Sequence, residues 1–311
     1  MRWIAGLGAA LVYALVVYAL TVWAAPDRGM LLIAFMVGAP MAGAIVAVLV
    51  SDPHGRQRSG QHVATGVVTV TLMLIAAAVV LREGAVCLVM AAPLFYGVGV
   101  TGALLAGAVA RRRGGRTLCV AFLVLPLIGL PAELDQPPRG QTRWVGSWVT
   151  IDAPPEVVWR SLVEIKGIAP DEQSWNFTHD LVGVPRPVDA RMNGEGVGAV
   201  RELTWARGIK FEEHITEWRP GRSLAWTFRV GPEASSRMLD QHLRIDSDYL
   251  RLEEGRYEIE AIGHERSRVR LTTRYWMRTP MNAYAAWWGR VFLGDFHHNV
   301  LDVIKSRSEA A

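Results

Sequence analysis

The sequence predicts an α+β chain in two parts: a bundle of transmembrane helices, then an antiparallel meander closed by one long C-terminal helix. Three observations predict it. Four apolar runs of about twenty residues crowd the first 110 positions, each long enough to cross a hydrocarbon core of about 30 Å. From Trp144 onward the hydrophobic period changes to alternation, the mark of half-buried strands. After Thr279-Pro280 about twenty-five residues follow without another proline, so Met281 to about Arg307 reads as one helix.

The apolar runs are Trp3–Ala25, Met30–Val50, Val63–Leu81 and Val86–Ala110. A fifth, Thr117–Ala132, reaches only about 24 Å at 1.5 Å per residue and is interrupted by Pro126, so it either spans a thinned bilayer or is re-entrant. The first run also has the outline of a signal peptide, with Arg2 before it and Val22-Trp23-Ala24 at its end. Its core is too long for one, and another span follows almost at once. Basic loops at Arg2, Arg56/Arg58 and Arg111-Arg112-Arg113 with Arg116 alternate with the nearly neutral Asp27-Arg28 and Arg82-Glu83. That alternation places the N-terminus in the cytoplasm. With five spans the C-terminal domain lies outside the cytoplasm, the expectation adopted here; with a re-entrant fifth run it lies inside. The lipid bilayer, read as a bacterial inner membrane, is the first expected partner. Gly38, Ala42, Gly97, Gly99, Gly102 and Gly107 are expected to let helices pack closely. The spans carry almost nothing ionisable, which leaves no visible proton relay.

Charge divides with the two parts. Residues 1–140 carry ten Arg against five acids, while 141–311 carry twenty-three basic against twenty-four acidic residues. The positive charge therefore belongs to the membrane part and argues against a nucleic-acid partner. Only three of the thirty-three cations are Lys, as in chains from GC-rich bacterial genomes. Both cysteines, Cys87 and Cys119, lie in the apolar part, so the C-terminal part has no disulfide frame, thiolate metal site or cysteine nucleophile.

The expected organisation is a membrane region over 1–132, a linker over 133–142 and a domain over 143–311. Pro131, Pro137, Pro138 and Gly140 make Pro131–Gly140 read as extended chain. Trp144–Ile151 reads as a strand, and Asp152-Ala153-Pro154-Pro155-Glu156 opens a short helix that buries Val157, Val158, Leu162 and Ile165. Residues 166–197 read as turn-rich, with a short helix near Asp171–Phe177, and the further strands begin only after Gly198. These are Val200–Trp205, Ile209–Trp218, Leu224–Val230, Tyr249–Ile262 and Arg268–Met277. In the last, Val269, Leu271, Thr273, Tyr275 and Met277 oppose Arg268, Arg270, Thr272 and Arg274, so one face is buried and the other wet. On the final helix Phe292, Phe296, Val300, Val303 and Ile304 form the stripe expected to meet the sheet. Tyr284, Trp287, Trp288 and Val291 form a neighbouring face that continues as Asp295, His298, Asn299 and Asp302.

The run Val149-Thr150-Ile151-Asp152-Ala153-Pro154-Pro155-Glu156-Val157-Val158-Trp159, followed by a meander and a long final helix, resembles the START-like (SRPBCC) superfamily. So do Gly196-Val197-Gly198-Ala199-Val200-Arg201 and Glu213-His214-Ile215-Thr216-Glu217-Trp218-Arg219-Pro220-Gly221-Arg222. The likeness covers roughly 143–308. That superfamily includes polyketide cyclases/dehydrases and lipid-transfer domains. The resemblance implies a helix-grip fold, a twisted antiparallel sheet wrapped round the C-terminal helix with a cavity for an apolar ligand between them. The cavity candidates it implies are Phe211, Glu213, Trp226, Phe228, Tyr257 and Tyr275 on strands, with Tyr284, Trp288 and Phe292 on the helix.

Glu213 shares phase with Ile209, Phe211 and Ile215, and burial would raise its pKa into the range of a general acid or base. The simpler reading pairs it with an arginine on a neighbouring strand, such as Arg201. His214 has the outward phase. His242, beside Asp240, reads as a surface hairpin, and His179 lies after Asn176-Phe177 near the expected mouth. Asp295, His298 and Asp302 share a helix face, yet with no second ligand cluster and Lys305 following, a solvated face explains them better than a metal site. No nucleophile elbow, phosphate loop or dinucleotide fingerprint occurs, so no cofactor is expected.

The leading expectation is thus a membrane-tethered domain that binds a lipophilic small molecule: a lipid, an isoprenoid or a polyketide. One alternative is a cyclase, dehydratase or hydrolase that uses Glu213 with Tyr257, Arg274 or Tyr275. Another is a non-catalytic membrane assembly protein whose protein partners the sequence does not name.

Overall fold

The computed structural model describes residues 1–26, 29–111, 115–136, 138–238 and 244–311, without the side chains of 115–120, 122, 125, 126, 236 and 238. The expectations placed on Asp27, Arg28, Arg112, Arg113, Pro137, Asp240 and His242 lie outside the described residues. The chain forms two compact units, Met1–Arg139 with Thr279–Met281 and Gly140–Arg278 with Asn282–Ala311.

In the first unit, α1 is Arg2–Ala24, α2 is Ala39–Ser51 entered through a π-helical turn Ala34–Gly38, α3 is Ser59–Val79 and α4 is Ala85–Ala110. Among the described residues these four, with the turn counted into α2, are long and apolar enough to cross a membrane. The fifth run is longer than expected: α5 covers Gly115–Asp135, 21 residues or about 31 Å. Pro126 and Pro131 lie inside it, although each interior proline removes one backbone hydrogen bond and crowds the carbonyl four residues earlier. The expectation of extended chain from Pro131 is therefore corrected: Pro131–Asp135 belongs to α5.

Close packing of these helices depends on particular glycines. A Cβ on Gly102 would lie 2.6 Å from the Met41 carbonyl oxygen, and one on Gly99 would collide with the Val70 side chain. Gly97 faces open space and has no such role. Gly107 fits against the ring of buried His62, whose Nε2 lies 3.1 Å from Asp52 Oδ2. The Asp52 carboxylate also accepts the amides of Arg56 and Gln57, so one buried carboxylate closes the turn between α2 and α3.

In the second unit, seven antiparallel strands form one sheet in the order β1-β7-β6-β5-β4-β3-β2. They are β1 (Gln141–Ile151), β2 (Pro187–Asn193), β3 (Val200–Trp205), β4 (Ile209–Arg219), β5 (Ser223–Arg229), β6 (Leu250–Ala261) and β7 (Ser267–Met277). The helices are α6 (Pro155–Val163), α7 (Pro232–Met238) and the long α8 (Asn282–Glu309). The architecture is that of a helix-grip domain behind an apolar helical region. The β3–β4 link uses Arg207 and Gly208 at positive φ, and the β4–β5 link uses Gly221, which lets both pairs turn sharply. Bulges at Ile215/Glu217 in β4 and Leu252/Glu254 in β6 add twist and curl the sheet.

β2 corrects the expectation that strands begin only after Gly198. It is an edge strand, paired along one side with β3 and bridged on the other only at Ile165–Ala190. Its short, polar sequence offers little alternation because little of it is buried. The helix expected near Asp171–Phe177 is instead a 3₁₀ turn Pro170–Glu172 and a π turn Phe177–Leu181, the latter capped by Asn176 Oδ1 on the His179 amide at 2.8 Å.

The core lies where α8 and α6 meet the concave face of the sheet. Ile151, Val158, Leu162, Leu224, Val269, Leu271, Leu301 and Ile304 are fully or almost fully buried there. α8 is held on two sides. On the sheet side Val300, Val303 and Ile304 pack as the stripe predicts. On the other, Asp295 accepts the Thr178 amide at 2.7 Å, Asn299 donates to Gln173 at 3.2 Å, and Arg307 grips Glu172 with two bonds of 2.7 and 2.9 Å. The Arg307 hydrogen bonds hold the Glu172 carboxyl down at about 2. Asn299 is therefore buried, a correction to the polar outer face expected of it, while His298 and Asp302 are exposed.

Candidate functional site

Alternation on the strands decides which side chains enter the space under α8. Arg201, Leu203 and Trp205 of β3 point inward beside Ile209, Phe211, Glu213 and Ile215 of β4. The same face carries Trp226 and Phe228 of β5, Tyr257 of β6, and Thr273 and Tyr275 of β7. Of the nine cavity candidates, Phe211, Glu213, Trp226, Tyr257, Tyr275 and Trp288 are buried, and Phe228, Tyr284 and Phe292 are half-buried.

These residues fall into two groups. The first surrounds Arg201, whose Nε and Nη2 donate to Glu213 Oε2 at 2.6 and 2.5 Å while Nη1 donates to the Leu162 carbonyl at the end of α6 at 2.9 Å. The guanidinium carbon lies 4.6 Å from the Trp226 ring centre and 5.9 Å from that of Tyr257. Burial pushes the Glu213 carboxyl above its ordinary value, opposed by the charge and hydrogen bonds of Arg201. An ionised Glu213 balances the charge of the Arg201 guanidinium inside the domain. Burial likewise raises the Tyr257 phenol.

The arginine-paired reading of Glu213 is the one this geometry matches. The carboxylate does not meet the other partners named for an enzyme: Arg274 lies on the outer face with Glu253 and Glu254, and the Tyr275 hydroxyl fits against Gly289 of α8. His214 faces outward and pairs with Glu212 at 2.9 Å.

The second group runs along α8. Trp288 stacks on Phe292 at 5.3 Å, and Phe292 stacks on Phe177 of the π turn at 6.1 Å. Phe296 stacks on Trp205 at 5.3 Å, and Trp205 meets Phe211 edge-on at 5.5 Å. Trp288 is thus drawn inside while Trp287 stays 43% exposed, as adjacent helix positions about 100° apart require. The neighbouring face read for Tyr284, Trp287, Trp288 and Val291 is therefore split, with Trp288 turned inward and Trp287 outward.

Residues that sequence reasoning passed over or left at the surface supply the polar part. His297 is fully buried and bonds through Nε2 to Thr273 Oγ1 at 2.8 Å, while its Nδ1 has no hydrogen-bond partner among the described residues. Burial, with a smaller push from His298, lowers its pKa to about 4, so the ring is neutral at pH 7. His179, expected near the mouth, is buried too; its Nδ1 lies 2.9 Å from the Val184 carbonyl. A carbonyl only accepts, so Nδ1 holds the proton and Nε2, which has no protein partner, presents a lone pair. Among the described residues the indole N–H groups of Trp205 and Trp288 also have no hydrogen-bond partner. The one available signal was Thr273 standing at an inward position of β7.

The interior is therefore aromatic, with a few polar atoms that lack hydrogen bonds. Each such atom costs about 1–3 kcal/mol if left without any partner. Inward-pointing Leu203, Phe228, Phe292 and Phe296 remain half-buried, as they would not in a closed core. An open cleft of about 620 Å³ reaches Leu203, Phe211 and Phe228 at the sheet edge, but outward Glu202, Thr204, Lys210, Glu212 and Arg229 line it as well and no residue of α8 does, so it is not the space under that helix. Among the described residues no group of three potential metal ligands occurs.

No protein-family model matches the sequence, and neither does any curated protein. Solved structures similar to the chain include the Zhui aromatase/cyclase from Streptomyces sp. R1128, at 16% identity over 54% of this chain and 94% of that one, TM-score 0.35. A norcoclaurine synthase from Thalictrum flavum is similar at 12% identity over 55% and 96%, TM-score 0.35. A protein from Thermus thermophilus is similar at 18% identity over 54% and 98%, TM-score 0.34.

Proposed function

We propose that residues 140–311 bind a lipophilic small molecule between the sheet and α8, and that the apolar helices tether this domain to a bacterial inner membrane. The carrying observation is an interior in which inward Phe228, Phe292 and Phe296 stay half-buried while, among the described residues, His179 Nε2, His297 Nδ1 and the Trp205 and Trp288 indoles have no hydrogen-bond partner. An apolar molecule with a few oxygen or nitrogen atoms supplies both missing surfaces. Lipids with a polar end, isoprenoid alcohols and polyketides all have that chemistry.

Native mass spectrometry of the full-length chain released from detergent tests the reading. The expected result is a bound apolar molecule in a roughly one-to-one ratio, lost in a Leu203→Trp variant that fills the space without unfolding the sheet. A chain that carries no such molecule and takes none up from a mixture of added lipids, isoprenoids and aromatic polyketides would rule the proposal out. Sidedness is tested separately by a C-terminal reporter pair, alkaline phosphatase against green fluorescent protein. An active phosphatase fusion is expected, and fluorescence without phosphatase activity would place the domain in the cytoplasm.

Catalysis by Glu213 is not favoured, because its carboxylate is committed to Arg201. The Thr273–His297 pair joins a hydroxyl to a neutral base, yet no group orients the base through Nδ1.

A further inference from the structure

The outer face of the sheet carries a second surface that the interior site does not use. Trp144 and Trp148 of β1 are 62% and 60% exposed and point the same way, since they stand four residues apart on one strand. They lie opposite Arg274 and Arg270 of β7. Beside them Trp276 is held between two guanidinium groups, with Arg251 at 4.1 Å and Arg278 at 5.7 Å from its ring centre, and Arg268 lies 5.4 Å from the ring centre of Trp148.

Charge pairing on this face is incomplete. Arg268 and Arg274 have carboxylate partners, whereas among the described residues Arg251, Arg270 and Arg278 have none within ion-pair distance. The patch also borders Gly140, the first residue of this unit. Five residues join Asp135 of α5 to β1, a reach of at most about 18 Å, and the last of them, Gly140, sits so close to Trp276 that a Cβ would lie 2.5 Å from its ring.

We propose that this Trp and Arg face docks on the anionic surface of the bilayer that holds the helices. Indoles favour the headgroup region. Guanidinium groups bind phosphate in two-point fashion, and three of them here lack a protein carboxylate. The inference rests on membrane insertion of the apolar helices and is independent of the ligand inside the domain.

The test is a spin label at Gly146→Cys, between the two exposed indoles, in a full-length chain with Cys87→Ala and Cys119→Ala. The chain is placed in nanodiscs of phosphatidylcholine alone or with about 30% phosphatidylglycerol. The expected result is a fall of about threefold or more in access of an aqueous nickel chelate when phosphatidylglycerol is present. High salt, or Arg251→Gln with Arg270→Gln and Arg278→Gln, should reverse it, and a label at Glu202→Cys on β3 should not respond. Equal access in both lipids overturns the proposal. Protection that ignores lipid charge, or that grows with the number of chains per disc, also overturns it, by assigning the face to another part of the protein or to a second copy. Release of the chain from membranes by carbonate overturns the membrane tether itself, and with it this docking, while leaving the ligand reading standing.

Discussion

Arg201→Met in the full-length protein is expected to lower the opening free energy of β3 and β4 by about 3–5 kcal/mol, read as faster native-state hydrogen exchange at their amides. The substitution leaves Glu213 buried without a cation, takes the donor from the Leu162 carbonyl and removes the charge beneath Trp226 and Tyr257. Arg201→Met with Glu213→Leu should recover most of the loss, because replacing both charges removes the desolvation cost as well as the attraction. A loss below about 1 kcal/mol in the single variant would mean that the pair does not organise this end of the domain.

His297→Gln is expected to flatten the acid limb of the stability profile. The folded protein keeps His297 neutral down to about 4, while the unfolded chain takes up the proton near the ordinary value of 6.5. The unfolded state therefore binds more protons between those values, so the contribution is complete above 6.5 and is lost as pH falls towards 4. Its size is about 3 kcal/mol, and His179, also lowered by burial, acts in the same direction. Glutamine keeps a hydrogen bond to Thr273 but does not titrate in this range. Hydrogen exchange of β7 and α8 amides at several pH values measures the difference, and equal slopes for the two proteins would refute the assignment.

Both effects arise at inward positions, but only one was legible beforehand. Glu213 and Arg201 stand in the inward phase of neighbouring strands, so their pairing follows from alternation once β3 and β4 are adjacent. His297 stands three and seven residues before Val300 and Ile304, on the face of the buried stripe, but a stripe traced through apolar residues alone passes over it. Its burial depends on Thr273, which is distant in the chain and reaches it only through the packing of α8 on β7. Asn299 was read as solvent-facing for the same reason: its partner Gln173 is 126 residues away.

The apolar helices, six of the seven strands to within three residues at each end, the length of α8 and the buried face of the meander were all legible in the sequence, because each is written in local length and period. The tertiary structure decided the rest. It placed β2 at the edge, carried α5 through two prolines, surrounded α8 on a second side and left His179, His297 and two indoles without partners around a half-open aromatic interior. Those outcomes depend on which distant segments cover a surface, and a covering segment leaves no periodic trace in the residues it covers.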